Sequence, residues 1–95
     1  MLKEPLAADE AKRLIVKAID SDRVDFKQVH AREEMTDDDL SIRDVLRVLR
    51  GGVVEPGELR RSTWRYRVRT SWAYVVVTFR TEDNVVVVTA WRMKR

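Results

Sequence analysis

Ninety-five residues, 44% hydrophobic and 37% charged, suffice for one self-standing core without staples, so a single domain over 1–95 is expected. With no cysteine and one histidine, His30, disulfide frameworks, thiolate zinc sites and multi-histidine metal sites are excluded, and no cofactor is expected. The net charge of +3 is unevenly spread: residues 1–50 hold 10 Lys+Arg against 12 Asp+Glu, while residues 51–95 hold 9 against 4, and eight of those nine are Arg.

Lys3, Glu4, Asp9, Glu10, Lys12 and Arg13 interrupt the start of the chain. They leave no room there for a signal-peptide core or a span of about 20 apolar residues, so a cytoplasmic, membrane-free protein is expected. Ala11, Leu14, Ile15, Ala18 and Ile19 repeat at helical spacing behind Asp9, which predicts a helix over about 8–20 with Asp9 as its N-cap. After Asp20-Ser21-Asp22, the run Val24 to Phe26 reads as an extended segment leading to a second helix over about 27–36, with Val29 and Met35 inward. Asp37-Asp38-Asp39 makes a solvated turn. Ser41 and Asp44 then form a capping box ahead of Ile42, Val45, Leu46 and Leu49, which predicts a third helix over about 42–50. Gly51 and Gly52 are expected to supply a left-handed exit from it.

Beyond residue 52 the hydrophobic period falls to two, and β-branched and aromatic residues become frequent. Strands are expected near 53–55, 63–70, 73–80 and 84–92. Helices first and strands last give an α+β class, with the N-terminal helices packed on one face of a C-terminal antiparallel sheet of about four strands.

Alternation assigns the faces of that sheet. Ala73, Val75, Val77 and Phe79 belong to the core, and Tyr74, Val76, Thr78 and Arg80 to the other side. If the last hairpin loop is Glu82 to Asn84, the register sets Val75 opposite Trp91 and Tyr74 opposite Arg92. Val87, Thr89 and Trp91 then face the core, and Val86, Val88, Ala90 and Arg92 face outward. Trp64, Tyr66 and Val68 alternate with Arg65, Arg67 and Arg69. Three unpaired guanidiniums would cost several kcal/mol each to bury, so they face outward. There they join Arg80 and Arg92, with Tyr74 among them and Arg60 and Arg61 arriving from the preceding loop. Such a surface neutralises phosphates while an aromatic ring stacks a base. The plainer alternative is an ordinary solvated sheet face. No Asp or Glu lies between residues 59 and 81 while six arginines do, which favours an anion-binding face.

Three helices followed by Thr63-Trp64-Arg65-Tyr66-Arg67-Val68, Ala73-Tyr74-Val75-Val76-Val77-Thr78 and Thr89-Ala90-Trp91-Arg92 form a pattern that resembles the motility quorum-sensing regulator (MqsR-like) toxins and the wider RelE-like endoribonuclease superfamily. The segment His30-Ala31-Arg32-Glu33-Glu34-Met35 is also similar to a sibling group of uncharacterised small proteins that reads His-Ala-x-x-Arg-Met, with Glu34 standing here in place of the arginine. The resemblance implies a metal-independent endoribonuclease that cleaves mRNA, often on the ribosome, by attack of a ribose 2′-OH, and that is held inactive by a cognate antitoxin. It implies transition-state charge stabilisation by Arg65, Arg61 and Arg92, with Arg60 the alternative to Arg61 at a loop-lysine position. Tyr74 would transfer a proton or stack a base, with Arg92 as the cation that would assist it. Arg60, Arg67, Arg69 and Arg80 would bind RNA.

His30 is the one side chain whose ordinary titration lies near neutrality, so it is a candidate acid or base, oriented by Glu33. A structural histidine is the commoner outcome for a lone one. The acids Glu33, Glu34, Asp37, Asp38 and Asp39 read mainly as a solvated cluster rather than a site for a basic partner. Two rivals stand beside the ribonuclease. One is a non-catalytic module that uses the same basic sheet for nucleic acid or an acidic protein, and the other is a purely structural partner-binding domain.

Overall fold

A computed structural model describes residues 2–93. Lys94 and Arg95, part of the basic surplus, lie outside them. The chain runs through α1 (Ala8–Asp20), β1 (Val24–Asp25), α2 (Val29–Asp37), α3 (Ile42–Gly51), β2 (Val53–Val54), β3 (Glu58–Arg60), β4 (Thr63–Arg69), β5 (Ala73–Thr81) and β6 (Asn84–Arg92). This is the expected α+β order. The sheet is larger than expected, with six strands in the order β1-β6-β5-β4-β2 and β3 also paired to β4. It is also mixed rather than antiparallel, because β1 pairs in parallel with β6. Among the described residues no helix is long and apolar enough to cross a membrane.

The helices form because their apolar residues fall on one stripe. Ala11, Leu14, Ile15 and Ala18 of α1 are buried, as are Val45, Val48 and Leu49 of α3, and each fully buried large aliphatic side chain contributes roughly 1.5–3 kcal/mol. The N-cap of α1 is Ala7 rather than Asp9, which lies in the first turn. There its charge suits the exposed N–H groups. The capping box of α3 forms as expected: Asp44 N–H donates to Ser41 Oγ and Ser41 N–H donates to Asp44 Oδ2, each at 3.0 Å. Lys12 ties α1 to the end of α3 by donating to Leu49 O (3.0 Å) and Gly52 O (2.6 Å). In α2, Met35 is buried as expected with Ala31, whereas Val29 is exposed.

Two expectations fail here for local reasons. Gly52 is not left-handed: its φ is −82° and its ψ 170°. A Cβ there would lie 2.6 Å from Val48 O and 2.8 Å from Arg69 O, so glycine permits close approach of the α3 terminus to β4. The segment 58–60, expected as loop, is a strand. Arg61 and Ser62 both take positive φ (50° and 67°), the turn geometry that closes a two-residue hairpin, here achieved without the usual Asn or Gly. Pro56, which has no N–H to give a ladder, stands between β2 and β3 on the same edge of β4.

One face of the sheet carries the core. Tyr66 and Val68 of β4, Ala73, Val75, Val77 and Phe79 of β5, and Val85, Val87 and Ala90 of β6 pack with α1, α2 and α3 in one cluster. Tyr66 buries its ring edge-on to Phe79 (centroids 5.4 Å apart). Its hydroxyl accepts from Leu6 N–H and donates to Glu4 Oε2, each at 2.9 Å, which fastens the segment before α1 across the sheet.

Candidate nucleic-acid interface

The opposite face is open, and a bulge in β6 decides what it presents. Val76 pairs with Thr89 while Val77 pairs with Val87, so Val88 is the extra residue and the side-chain parity inverts after it. Ala90 therefore enters the core, and Thr89 and Trp91, expected inward, turn outward. Tyr74 faces Trp91 rather than Arg92, and the two rings stack with centroids 5.1 Å apart at 27°. The hairpin loop is Glu82-Asp83, with Thr81 paired to Asn84, one residue shorter than expected.

Arg65, Arg67 and Arg69 do line up on this face, at the two-residue spacing of about 7 Å along a strand, but their circumstances differ. Glu55 takes both of the latter, with Oε1 3.3 Å from Arg67 Nε and Oε2 3.1 Å from Arg69 Nε. Glu55 is held for this by its own N–H, which donates to Arg67 O (2.9 Å). Arg67 also covers the Tyr74 ring, 5.4 Å from its centroid. Arg65 is different. It is half-buried, its Nε is buried without a hydrogen-bond partner, and it forms no ion pair among the described residues. Strand pairing sets Glu58 directly across from it, yet Glu58 turns to Arg60 (2.8 Å). That hydrogen bond and the Arg60 charge hold the Glu58 carboxyl below its ordinary range.

Arg65 lies in a cleft of about 310 Å³. Glu55, Pro56, Glu58 and Arg60 line it from the edge, and Arg67, Val76, Thr89 and Trp91 from the sheet. Of the expected site residues, Arg60, Arg65 and Arg67 are brought together here. Arg61 is exposed at the hairpin tip and Arg69 stands one step along β4. Arg80 shares the outer face but is held by Asp25 at 3.0 Å, whose carboxyl is lowered first by the Lys27 N–H and then by Arg80 itself.

Arg92 and His30 are not part of the cleft. Arg92 caps the C-terminus of α2: Nε donates to Asp38 O (2.8 Å), a terminal nitrogen to Asp39 O (2.9 Å), and its backbone N–H to Asp38 Oδ2 (2.7 Å). A guanidinium is well suited to those unsatisfied carbonyls. Its charge also sits 5.7 Å from the Trp72 ring centroid, so the cation expected to assist Tyr74 is engaged elsewhere. The Asp37–Asp39 turn, expected to be merely solvated, is thus a clamp on β6. His30 is exposed on α2, with Nε2 3.8 Å from Glu34 Oε1. Glu34, the departure from the sibling motif, is its neighbour one turn on, not Glu33. Glu34 and Asp38 border a second groove with Tyr74, Trp91 and Arg92. No three His, Asp or Glu side chains among the described residues are arranged to hold a metal ion.

Sequence reasoning missed Trp91 and Thr89, because a bulge inside an unbroken Val-Val-Val-Val run leaves no mark on the pattern. It also missed Glu55 and Glu58. Glu55 ended the expected strand 53–55 and Glu58 fell in the segment expected as loop, neither with a partner assigned, whereas the pairing of β2 and β3 with one edge of β4 brings both to the cleft.

Residues 28–92 match the family model described as Domain of unknown function (DUF4258). The chain belongs to the DUF4258 family. The DUF4258 segment begins at the N-cap of α2 and ends with β6, so it contains the whole cleft, while α1 and β1 lie outside the match. No curated protein and no solved structure matches the chain.

Proposed function

We propose that the open face of this DUF4258 chain binds single-stranded RNA and cleaves it without a metal, by attack of a ribose 2′-OH on the neighbouring phosphodiester. The observation that carries the reading is Arg65, which lines the cleft and has no carboxylate partner among the described residues, unlike its neighbours Arg60 and Arg67. A guanidinium not neutralised by a carboxylate can take a phosphate oxygen in a short charge-assisted bond and stabilise the extra charge of the phosphorane where that charge develops. Arg60 and Arg67 border the same cleft and assist. The stacked Tyr74–Trp91 pair offers a platform for a base, a role that fits Tyr74 better than proton transfer. Glu58, which lines the cleft across the ladder from Arg65, takes the 2′-OH proton, in place of His30, as the 2′-oxygen bonds to phosphorus; the P–O5′ bond breaks and water protonates the departing 5′-oxygen. The toxin role and a cognate antitoxin enter this reading through the RelE-like and MqsR-like resemblance.

The test is cleavage of a single-stranded RNA in EDTA by wild type, Arg65→Ala and Glu58→Gln, with binding measured in parallel. Wild type should cut, Arg65→Ala should lose both binding and cutting, and Glu58→Gln should bind but not cut. Absence of RNA binding by the wild type would remove the reading altogether. A second reading, a non-catalytic RNA-binding module, is favoured by the way Glu55 neutralises Arg67 and Arg69 and α2 engages Arg92. Salt-sensitive binding with no cutting would select it.

A further inference from the structure

The helix layer, on the other side of the sheet from the cleft, carries an apolar strip that the described fold covers only in part. Ile42 at the start of α3 is 52% exposed, although it is a large aliphatic residue on a helix with an otherwise well-buried stripe. Leu46 lies one turn on, and Ile19 from the end of α1 completes a shallow groove between the two helices. Ile19 also packs against the core, but Ile42 and Leu46 lie beyond it, since α3 buries Val45, Val48 and Leu49 on its inner side.

The rim of this groove is basic. Arg43, Arg47 and Arg50 border it at i, i+4 and i+7 along α3, one side of the helix. Arg50 is bound to Asp20 at 2.6 Å. Arg43 and Arg47 form no ion pair among the described residues. The acid nearest them in sequence, Asp44, has its carboxylate committed to the Ser41 N–H. Lys12 adds positive charge near Arg50 while donating to the last carbonyls of α3.

We propose that this groove docks an amphipathic helix of a partner protein whose apolar stripe is edged by Glu or Asp. An apolar ridge repeating at i and i+4 fits between two helices as a third helix would. Two open guanidiniums one turn apart match carboxylates at the same spacing on the partner. A polynucleotide has no use for the apolar floor, and three side chains are too few to anchor a membrane surface. The proposal is independent of the RNA reading, because it uses no residue of the cleft.

Two synthetic helical peptides test it against the full chain by fluorescence anisotropy. They share one Leu/Ala stripe and differ only in Glu or Lys along its edge. The Glu peptide should bind about tenfold more tightly than its Lys twin, as expected for two rim attractions exchanged for two repulsions. The double variant Arg43→Glu/Arg47→Glu should reverse that preference, Ile42→Ser should weaken both complexes, and Arg65→Ala should change neither. Unaltered circular dichroism and Tm of these surface variants establish that they fold. Failure of both peptides to bind, equal binding, or a preference that the double variant leaves in place would overturn the proposal. So would self-association of the chain abolished by Ile42→Asp, or binding to anionic vesicles through the same residues, since each names a different occupant.

Discussion

Arg65 owes its availability to what its neighbours do: Glu55 is shared by Arg67 and Arg69, and Glu58 turns to Arg60. A buried donor without a partner is a cost to folding, so Arg65→Met, which keeps the stem and removes the unpaired group, should raise unfolding free energy by about 1 kcal/mol in a urea titration. The same change should abolish RNA binding, a stability gain obtained at the expense of function. A loss of stability instead would mean that the guanidinium has a structural partner. Tyr66 gives a residue-scale prediction in pH. Burial, chiefly, pushes its phenol up to about 12, against about 10 in an unfolded chain. The unfolded state therefore releases this proton first, and the stability it represents is complete below about pH 10 and is lost as pH rises toward 12. The stability gap between wild type and Tyr66→Phe, measured by denaturant melts across that window, should narrow steadily. A constant gap would contradict the assignment.

At the scale of elements, α3 is set by its ends. Ser41→Ala removes the side-chain half of the capping box and should cost about 1 kcal/mol, read as a shift of the urea midpoint with unchanged slope. Asp44, whose carboxyl is held low mainly by the Ser41 N–H and hydroxyl, contributes stability that is present at neutral pH and lost on acidification through its folded pKa. The two glycines after Arg50 should answer oppositely to alanine. Nothing lies within 4 Å of a Cβ at Gly51, so Gly51→Ala should stabilise by about 0.5–1 kcal/mol. Gly52→Ala drives a methyl group into two carbonyls and Val68 and should destabilise by about 1–3 kcal/mol. Thermal melts of the two variants moving in the same direction would refute this account of the α3 to β2 junction.

For the molecule as a whole, only part of the basic surplus within the described residues 51–93 is available to a ligand, because most of the arginines there are already paired within the fold. RNA binding should therefore show a modest salt dependence, with a slope of log K against log salt of about −2 for roughly three phosphates on a single strand. A much steeper slope would mean that the hairpin tip at Arg61 and further cations also engage. Since α1 buries Ala11, Leu14, Ile15 and Ala18 in the same core as the DUF4258 segment, a chain shortened to residues 28–92 should fail to fold cooperatively when followed by circular dichroism.

The periodicities of α1, α3 and β5, the capping box at Ser41, and the outward set of Arg65, Arg67 and Arg69 were legible in the sequence, because each depends on residues close together along the chain and on the cost of burying a charge. The α+β order follows from the same local signals. What tertiary structure alone decided was pairing: the bulge at Val88 that turns Trp91 outward, the return of Glu55 and Glu58 to the cleft, and the capture of Arg92 by α2. A guanidinium or an indole on an alternating strand has a face but no partner until the neighbouring strands take their register. Register is fixed by long-range contacts, and it is these that leave Arg65 open while its neighbours are satisfied.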